Sequence, residues 1–163
     1  VDYRVCSVGR FDKPYVLPLI DQLEFFCKVK SCKVQLFFIG GVYHKENLQK
    51  IEKRLRGNAY ITYVYTDFQY PVPLKLLHAM DVAIGCAGSV LTTYRAGIPT
   101  IPLDVSDFTP IGIFGVTTNS THYKEKGKQE VRSLFHQLNQ AKERLALIIE
   151  KNKEEYEKIL NLI

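Results

Sequence analysis

Met80-Asp-Val-Ala-Ile-Gly-Cys-Ala-Gly-Ser-Val-Leu-Thr-Thr-Tyr-Arg-Ala-Gly-Ile-Pro-Thr-Ile101 is the stretch that decides the fold. Asp81 to Ile84 reads as a short apolar strand of the kind buried in a parallel sheet. Gly85, Ala87, Gly88 and Ser89 form a turn of small residues. Val90 to Ala96 has the length of a short helix, and Gly97 supplies its C-terminal stop. Ile98 to Ile101 opens another strand. A strand, a Gly/Ser turn and a helix start in succession suit an anion. The first N–H groups of the helix have no internal partner, the helix dipole is positive there, and glycine admits a phosphate close to the backbone. The bland alternative is a connecting turn that binds nothing. The dinucleotide pattern Gly-x-Gly-x-x-Gly is absent from this turn, and no Gly-Lys-Ser/Thr follows it.

The same alternation extends on both sides. Upstream, Tyr3 to Val8 is expected to be a strand, Gly9 to Pro14 a turn, and Val16 to Lys28 a helix with Pro18 in its first turn. Val34 to Ile39 reads as a second strand stopped by Gly40-Gly41, Glu46 to Leu55 as a helix, and Ala59 to Tyr65 as a third strand. A loop from Thr66 to Pro71 and a short helix from Val72 to Met80 lead into the central stretch. Strands alternating with helices at this spacing predict an α/β fold, a Rossmann-like parallel sheet of about five or six strands with helices on both faces. Pro102 to Val116 carries little regular pattern. From Gln129, apolar residues recur at helical spacing to Ile163, predicting one long C-terminal helix or two end to end, roughly 50 Å if unbroken. The expected division is therefore 1–128 for the sheet domain and 129–163 for an amphipathic helix whose far end rests on something else.

The composition is that of a globular protein. The 163 residues are 46% hydrophobic and 24% charged, with a net charge of +5. That mild excess suits an anionic ligand or an anionic membrane surface. No apolar run is long enough to span a bilayer, and no secretory signal is visible. The chain opens on Val-Asp-Tyr-Arg-Val without an initiator Met, which suggests a fragment of a longer protein. Cys6, Cys27, Cys32 and Cys86 form no Cys-x-x-Cys pair and read as reduced cytosolic thiols rather than a disulfide framework or zinc site. His44, His78, His122 and His136 are scattered without triad or metal spacing. Tyr60, Tyr63 and Tyr65 look like a packed strand edge, and no basic face accompanies them as RNA stacking would require. Lys124-Glu-Lys-Gly-Lys128 reads as a solvated loop, with contact to an anionic membrane or acceptor as its functional alternative.

Three places together resemble the C-terminal half of a GT-B glycosyltransferase. Val8-Gly9-Arg10-Phe11-Asp12-Lys13 is similar to the opening of that half in retaining members of the capsule and lipopolysaccharide type. Phe37 to Gly41 resembles the glycine-rich end of the second strand. Ala79 to Ala83, continued by Ala96-Gly97-Ile98-Pro99-Thr100-Ile101, resembles the core of the donor site. The resemblance implies that a UDP- or GDP-sugar lies across the carboxyl ends of the strands. It implies that Arg10 and Lys13 stabilise the diphosphate leaving group. Gly9, Gly88, Ser89 and Val90 would contact phosphates or sugar, Thr92 the ribose, and Thr66, Asp67 and Phe68 the base. The family has a glutamate where Thr92 stands, and Val82 to Ile101 contains no acid. No cofactor and no metal are implied, since no Asp-x-Asp is present.

By the same resemblance the chain is the donor half of a cytoplasmic polysaccharide-biosynthesis transferase at the inner face of a membrane. It would act on a glycan or lipid-linked acceptor, require an N-terminal domain of the same protein, contact the membrane peripherally and bind no nucleic acid. The competing expectation is a non-catalytic Rossmann-like binding or assembly module that docks a partner through its C-terminal helix.

Overall fold

A computed structural model describes residues 1–10, 13–42, 44–66, 72–125 and 129–151, with the backbone alone for 144 and 146–151. The elements run β1 (Tyr3–Val8), α1 (Val16–Lys30), β2 (Val34–Ile39), α2 (Lys45–Leu55), β3 (Ile61–Thr66), α3 (Leu74–His78), β4 (Val82–Gly85), α4 (Gly88–Arg95), β5 (Thr100–Pro102), α5 (Val131–Phe135) and α6 (Leu138–Lys151). The sheet has five strands in the order β3-β2-β1-β4-β5, all parallel. The fold is Rossmann-like α/β, as the alternation of strand and helix patterns implies.

Period-two alternation along the strands separates two cores. Val5 of β1, Leu36 and Phe38 of β2, and Val82 and Ile84 of β4 face one side, where α1, α2 and α5 supply Leu19, Ile20, Leu23, Ile51, Leu55 and Phe135. Cys6, Ile39 and Ala83 face the other side, against Leu77 of α3, Met80, Ala96 and Ile98. A buried face on each side explains why these strands read as continuous apolar runs. β3 is an edge strand, and Tyr63 and Tyr65 pack ring to ring along it at 5.1 Å.

The C-terminal segment is broken. α5 ends at Phe135, and Leu138 starts α6 on the α1 side of the sheet, with Leu138 and Ala141 in the core. Of the expected long helix, this much is two helices end to end; 152–163 lie outside the described residues. Lys142 of α6 reaches Asp81 at 3.1 Å, fastening α6 to the residue that precedes β4. None of the described helices is long and apolar enough to cross a membrane.

Candidate functional site at the carboxyl ends of β1 and β4

The strand order reverses direction between β1 and β4, so the connections leaving these neighbours diverge to opposite faces and open a crevice. Open α/β sheets bind ligands at such a switch point. One wall is the turn after β1. Gly9 holds a φ of 115°, which side-chain-bearing residues rarely adopt. Its N–H donates to the Ile39 carbonyl at 2.9 Å. Gly40, at the end of β2, packs so tightly here that a Cβ on it would lie 1.9 Å from the Gly9 carbonyl oxygen. The Gly40 that reads in the sequence as a strand stop is thus a close-approach residue that seats the β1 turn.

Lys13 folds back over this turn, its Nζ 3.7 Å from where a Cβ on Gly9 would stand. It also acts across the crevice: burial pushes the Cys86 thiol up to about 11, and the Lys13 ammonium works in the opposite direction. Arg10 is half-buried beside Gly9 and engaged in an interaction of its own. Behind Lys13, the Tyr15 and Ser7 hydroxyls hydrogen-bond at 2.7 Å in the core, fixing the turn to its strand. Burial pushes the Tyr15 hydroxyl up to about 12, while the Ser7 bond acts to lower it.

The opposite wall is the β4–α4 turn. Helix α4 starts at Gly88, two residues earlier than the pattern of small residues suggests, so Gly88 and Ser89 lie in its first turn. The first N–H groups of that turn, at Gly88 and Ser89, have no carbonyl within the helix to bond. Gly88 is exposed, with nothing within 4 Å of a Cβ placed on it. The Ser89 hydroxyl donates to the Cys86 carbonyl at 3.0 Å, and a Cβ on Gly85 would meet that hydroxyl oxygen at 2.9 Å. The turn is strained at Ala87, whose φ of 57° and ψ of −128° suit glycine. Its far end is a Schellman cap: Gly97 N–H bonds to Tyr94 and Ile98 N–H to Thr93, with Gly97 at φ 81°.

Gly9, Arg10 and Lys13 on one wall and Gly88 and Ser89 on the other therefore come together. Val90 does not offer what the sequence reading asks of it. Its side chain is fully buried and its N–H donates to the Ala87 carbonyl at 3.2 Å, because the helix has already begun. Thr92 is exposed and lies one turn along α4 from Gly88 on the same face, with Leu91 and Arg95. Thr66 ends β3, two strands from β1 and roughly 10 Å away, where its hydroxyl donates to the Phe38 carbonyl at 3.2 Å. Asp67 and Phe68 lie outside the described residues.

A third wall escaped the sequence reading. The segment after β5 folds back beside α4: the Ala87 N–H donates to the Thr121 carbonyl at 3.2 Å, and the Val105 N–H to the His122 carbonyl at 2.8 Å. His122 is exposed there, its Nδ1 2.6 Å from the Thr121 hydroxyl. Asp104 holds this segment in place. It is 3% exposed and accepts hydrogen bonds from the Ser106 N–H and hydroxyl and the Lys124 N–H. Those bonds, with the Lys124 ammonium 3.5 Å away, hold its carboxyl far below the usual carboxylate range. Lys124, expected in a solvated loop, is half-buried and pairs with Asp107 at 2.5 Å. Asp104-x-Ser106 and Asp107-x-Thr109 are side-chain turn patterns that betray the loop in sequence. His78 is a tie between helices, with Nε2 3.0 Å from the carbonyl of Ala96 at the end of α4.

No protein-family model and no curated protein matches the chain. Among solved structures the chain is similar to AviGT4, a glycosyltransferase involved in avilamycin A biosynthesis. The TM-score is 0.47 and the identity 14%, over 99% of this chain and 52% of that one. The chain spans about half the length of that neighbour.

Proposed function

We propose that the crevice binds the diphosphate of a nucleotide sugar and that the chain is the donor-binding half of a glycosyltransferase. One observation carries the reading: β1 and β4 are paired neighbours, so the turn where the Lys13 ammonium sits over the Gly9 backbone lies beside the β4–α4 turn that ends at Gly88. A cation, a side-chain-free backbone and the positive end of a helix dipole lie side by side there, which is chemistry for an anion. The Gly-Arg element that resembles GT-B transferases lies on the crevice itself, while the Ala-Gly-Ile-Pro element closes the other end of α4 and leads into β5. In that reading Arg10 and Lys13 stabilise the charge that grows on the diphosphate as the sugar leaves. The Gly88 and Ser89 N–H groups hold the phosphates, and the exposed face of α4 at Thr92 lies toward the ribose. UDP or GDP is the nucleotide, and a glycan or lipid-linked molecule is the acceptor, presented by a second domain across the cleft.

A second reading, binding without transfer, has its own observation. α4 carries no carboxylate, and the first acid beyond it, Asp104, is buried in bonds to Ser106 and Lys124. A nucleotide's ribose would then meet only the neutral Thr92 hydroxyl, a weaker partner than a charged one. Calorimetric titration with UDP, GDP and a neutral nucleoside tests the first claim. The diphosphates should bind and the nucleoside should not; equal, absent or phosphate-independent binding would refute it. Transfer assays with the second domain supplied then separate transferase from binding module.

A further inference from the structure

Cys27 and Cys32 are five positions apart, yet the cap of α1 folds them together. Ser31 takes a left-handed conformation with φ 52°, and the Cys32 N–H donates to the Cys27 carbonyl at 3.1 Å. This is the six-to-one bond of a Schellman cap, whose two end residues commonly meet side chain to side chain. Here both are cysteines, free and in the same core cluster.

The two sulfurs differ in access. Cys27 is 0% exposed, whereas Cys32 is 8% exposed and lines a cavity of about 350 Å³ at the amino edge of the sheet. That edge lies at the other end of β1 from the crevice, roughly 20 Å away. Lys30, Arg132 and His136 line the cavity against a single carboxylate, Asp2, and Phe135 gives it an apolar wall.

We propose that Cys27 and Cys32 form an oxidisable dithiol, attacked first at Cys32, whose oxidant is an anionic low-molecular-weight disulfide of the glutathione class admitted by this cavity. The Cys32 thiolate attacks one sulfur of glutathione disulfide; that S–S bond breaks, and one glutathione thiolate leaves and takes up a proton. The Cys27 thiolate then attacks the Cys32 sulfur of the mixed disulfide and expels the second glutathione. Two protein thiols are oxidised and one glutathione disulfide becomes two glutathione thiols. Burial raises both cysteine thiols, Cys27 to about 12, so the exchange is slow. The product holds the last turn of α1 to the segment that enters β2.

The test incubates the folded chain with glutathione disulfide at mildly alkaline pH and maps the products by mass spectrometry. Trypsin cleaves after Lys28 and Lys30, so a Cys27–Cys32 bridge appears as two linked peptides that reduction splits. Cys27→Ser should stop at a stable glutathione adduct on Cys32, and Cys32→Ser should leave Cys27 unmodified. An Arg132→Glu variant should slow capture of glutathione disulfide several-fold and leave capture of neutral hydroxyethyl disulfide unchanged. A wild-type chain that remains unlinked, or a Cys27 that takes the adduct as readily as Cys32, overturns the dithiol. An Arg132→Glu variant that slows neither reagent, or both equally, overturns the anionic oxidant.

Discussion

The Tyr15 hydroxyl and the Ser7 hydroxyl meet at 2.7 Å inside the core, joining the end of the turn that carries Gly9, Arg10 and Lys13 to the strand where that turn begins. Tyr15→Phe leaves Ser7 buried without its partner, a loss of about 1–3 kcal/mol. For a domain of this size that lowers Tm by about 2–4 °C per kcal/mol. Adding Ser7→Ala should recover part of the loss, since neither group is then orphaned. Thermal melts of the two singles and the double check this; simple additivity would mean the hydroxyls are not coupled.

In the proposed function Lys13 and Arg10 are the residues that meet the diphosphate. Lys13→Ala and Arg10→Ala should each weaken UDP or GDP binding roughly 10- to 100-fold, the worth of a charge-assisted bond of about 1.5–3 kcal/mol. Neither is in the core, so circular dichroism should be unchanged. Affinities in calorimetry that match the parent would remove the phosphate role from these residues.

Gly88 has room for a side chain in the protein alone, because nothing lies within 4 Å of a Cβ placed there. Gly88→Val should therefore melt within a few degrees of the parent while nucleotide binding falls, the branched side chain occupying the phosphate's approach. Normal binding by a folded variant would place the ligand elsewhere.

Ala87 stores backbone strain of order 1–3 kcal/mol at φ 57°. Ala87→Gly relieves it against a smaller entropic cost and should stabilise the chain by about 1 kcal/mol. Denaturant titration reads this directly. A destabilised glycine variant would show that the Ala87 methyl group contributes more than the strain costs.

Glu24 on α1 sets an acid limit. Hydrogen bonds from Arg54 first, then Lys28 and Asn58, hold its carboxyl down at about 2, against an ordinary value of 4.5. A carboxyl depressed in the folded state contributes stability that is present above its unfolded pKa and is lost as pH falls through the folded one. Stability should therefore decline between about pH 4.5 and 2. Glu24→Gln should be less stable at neutral pH and show a shallower decline over that window. An unaltered acid profile would assign the transition to other carboxylates, Asp104 among them.

Much of the architecture is legible in the chain because local periodicity carries it. Short runs such as Val34–Ile39, closed by Gly40-Gly41, read as strands, and Pro18 and Gly97 punctuate helices wherever the chain goes. That the sheet is parallel follows too, since strands joined by helices leave few topologies; the strand order came from the structure. The two walls of the crevice were also readable, as Gly-Arg after one strand and Gly-x-x-Gly-Ser after another. What only the tertiary structure decided depends on atoms distant in sequence. The place of Gly40 is set by the Gly9 carbonyl, 31 residues earlier. The 103–125 segment becomes a wall because Asp104 finds Lys124 and Ala87 finds Thr121. Val90 loses its N–H to a helix that starts at Gly88 rather than after Ser89. Cys27 and Cys32 carry no framework spacing, and one left-handed residue, Ser31, joins them. Periodicity is a property of neighbours along the chain, whereas close approach, ion pairing and cap geometry depend on how distant segments meet.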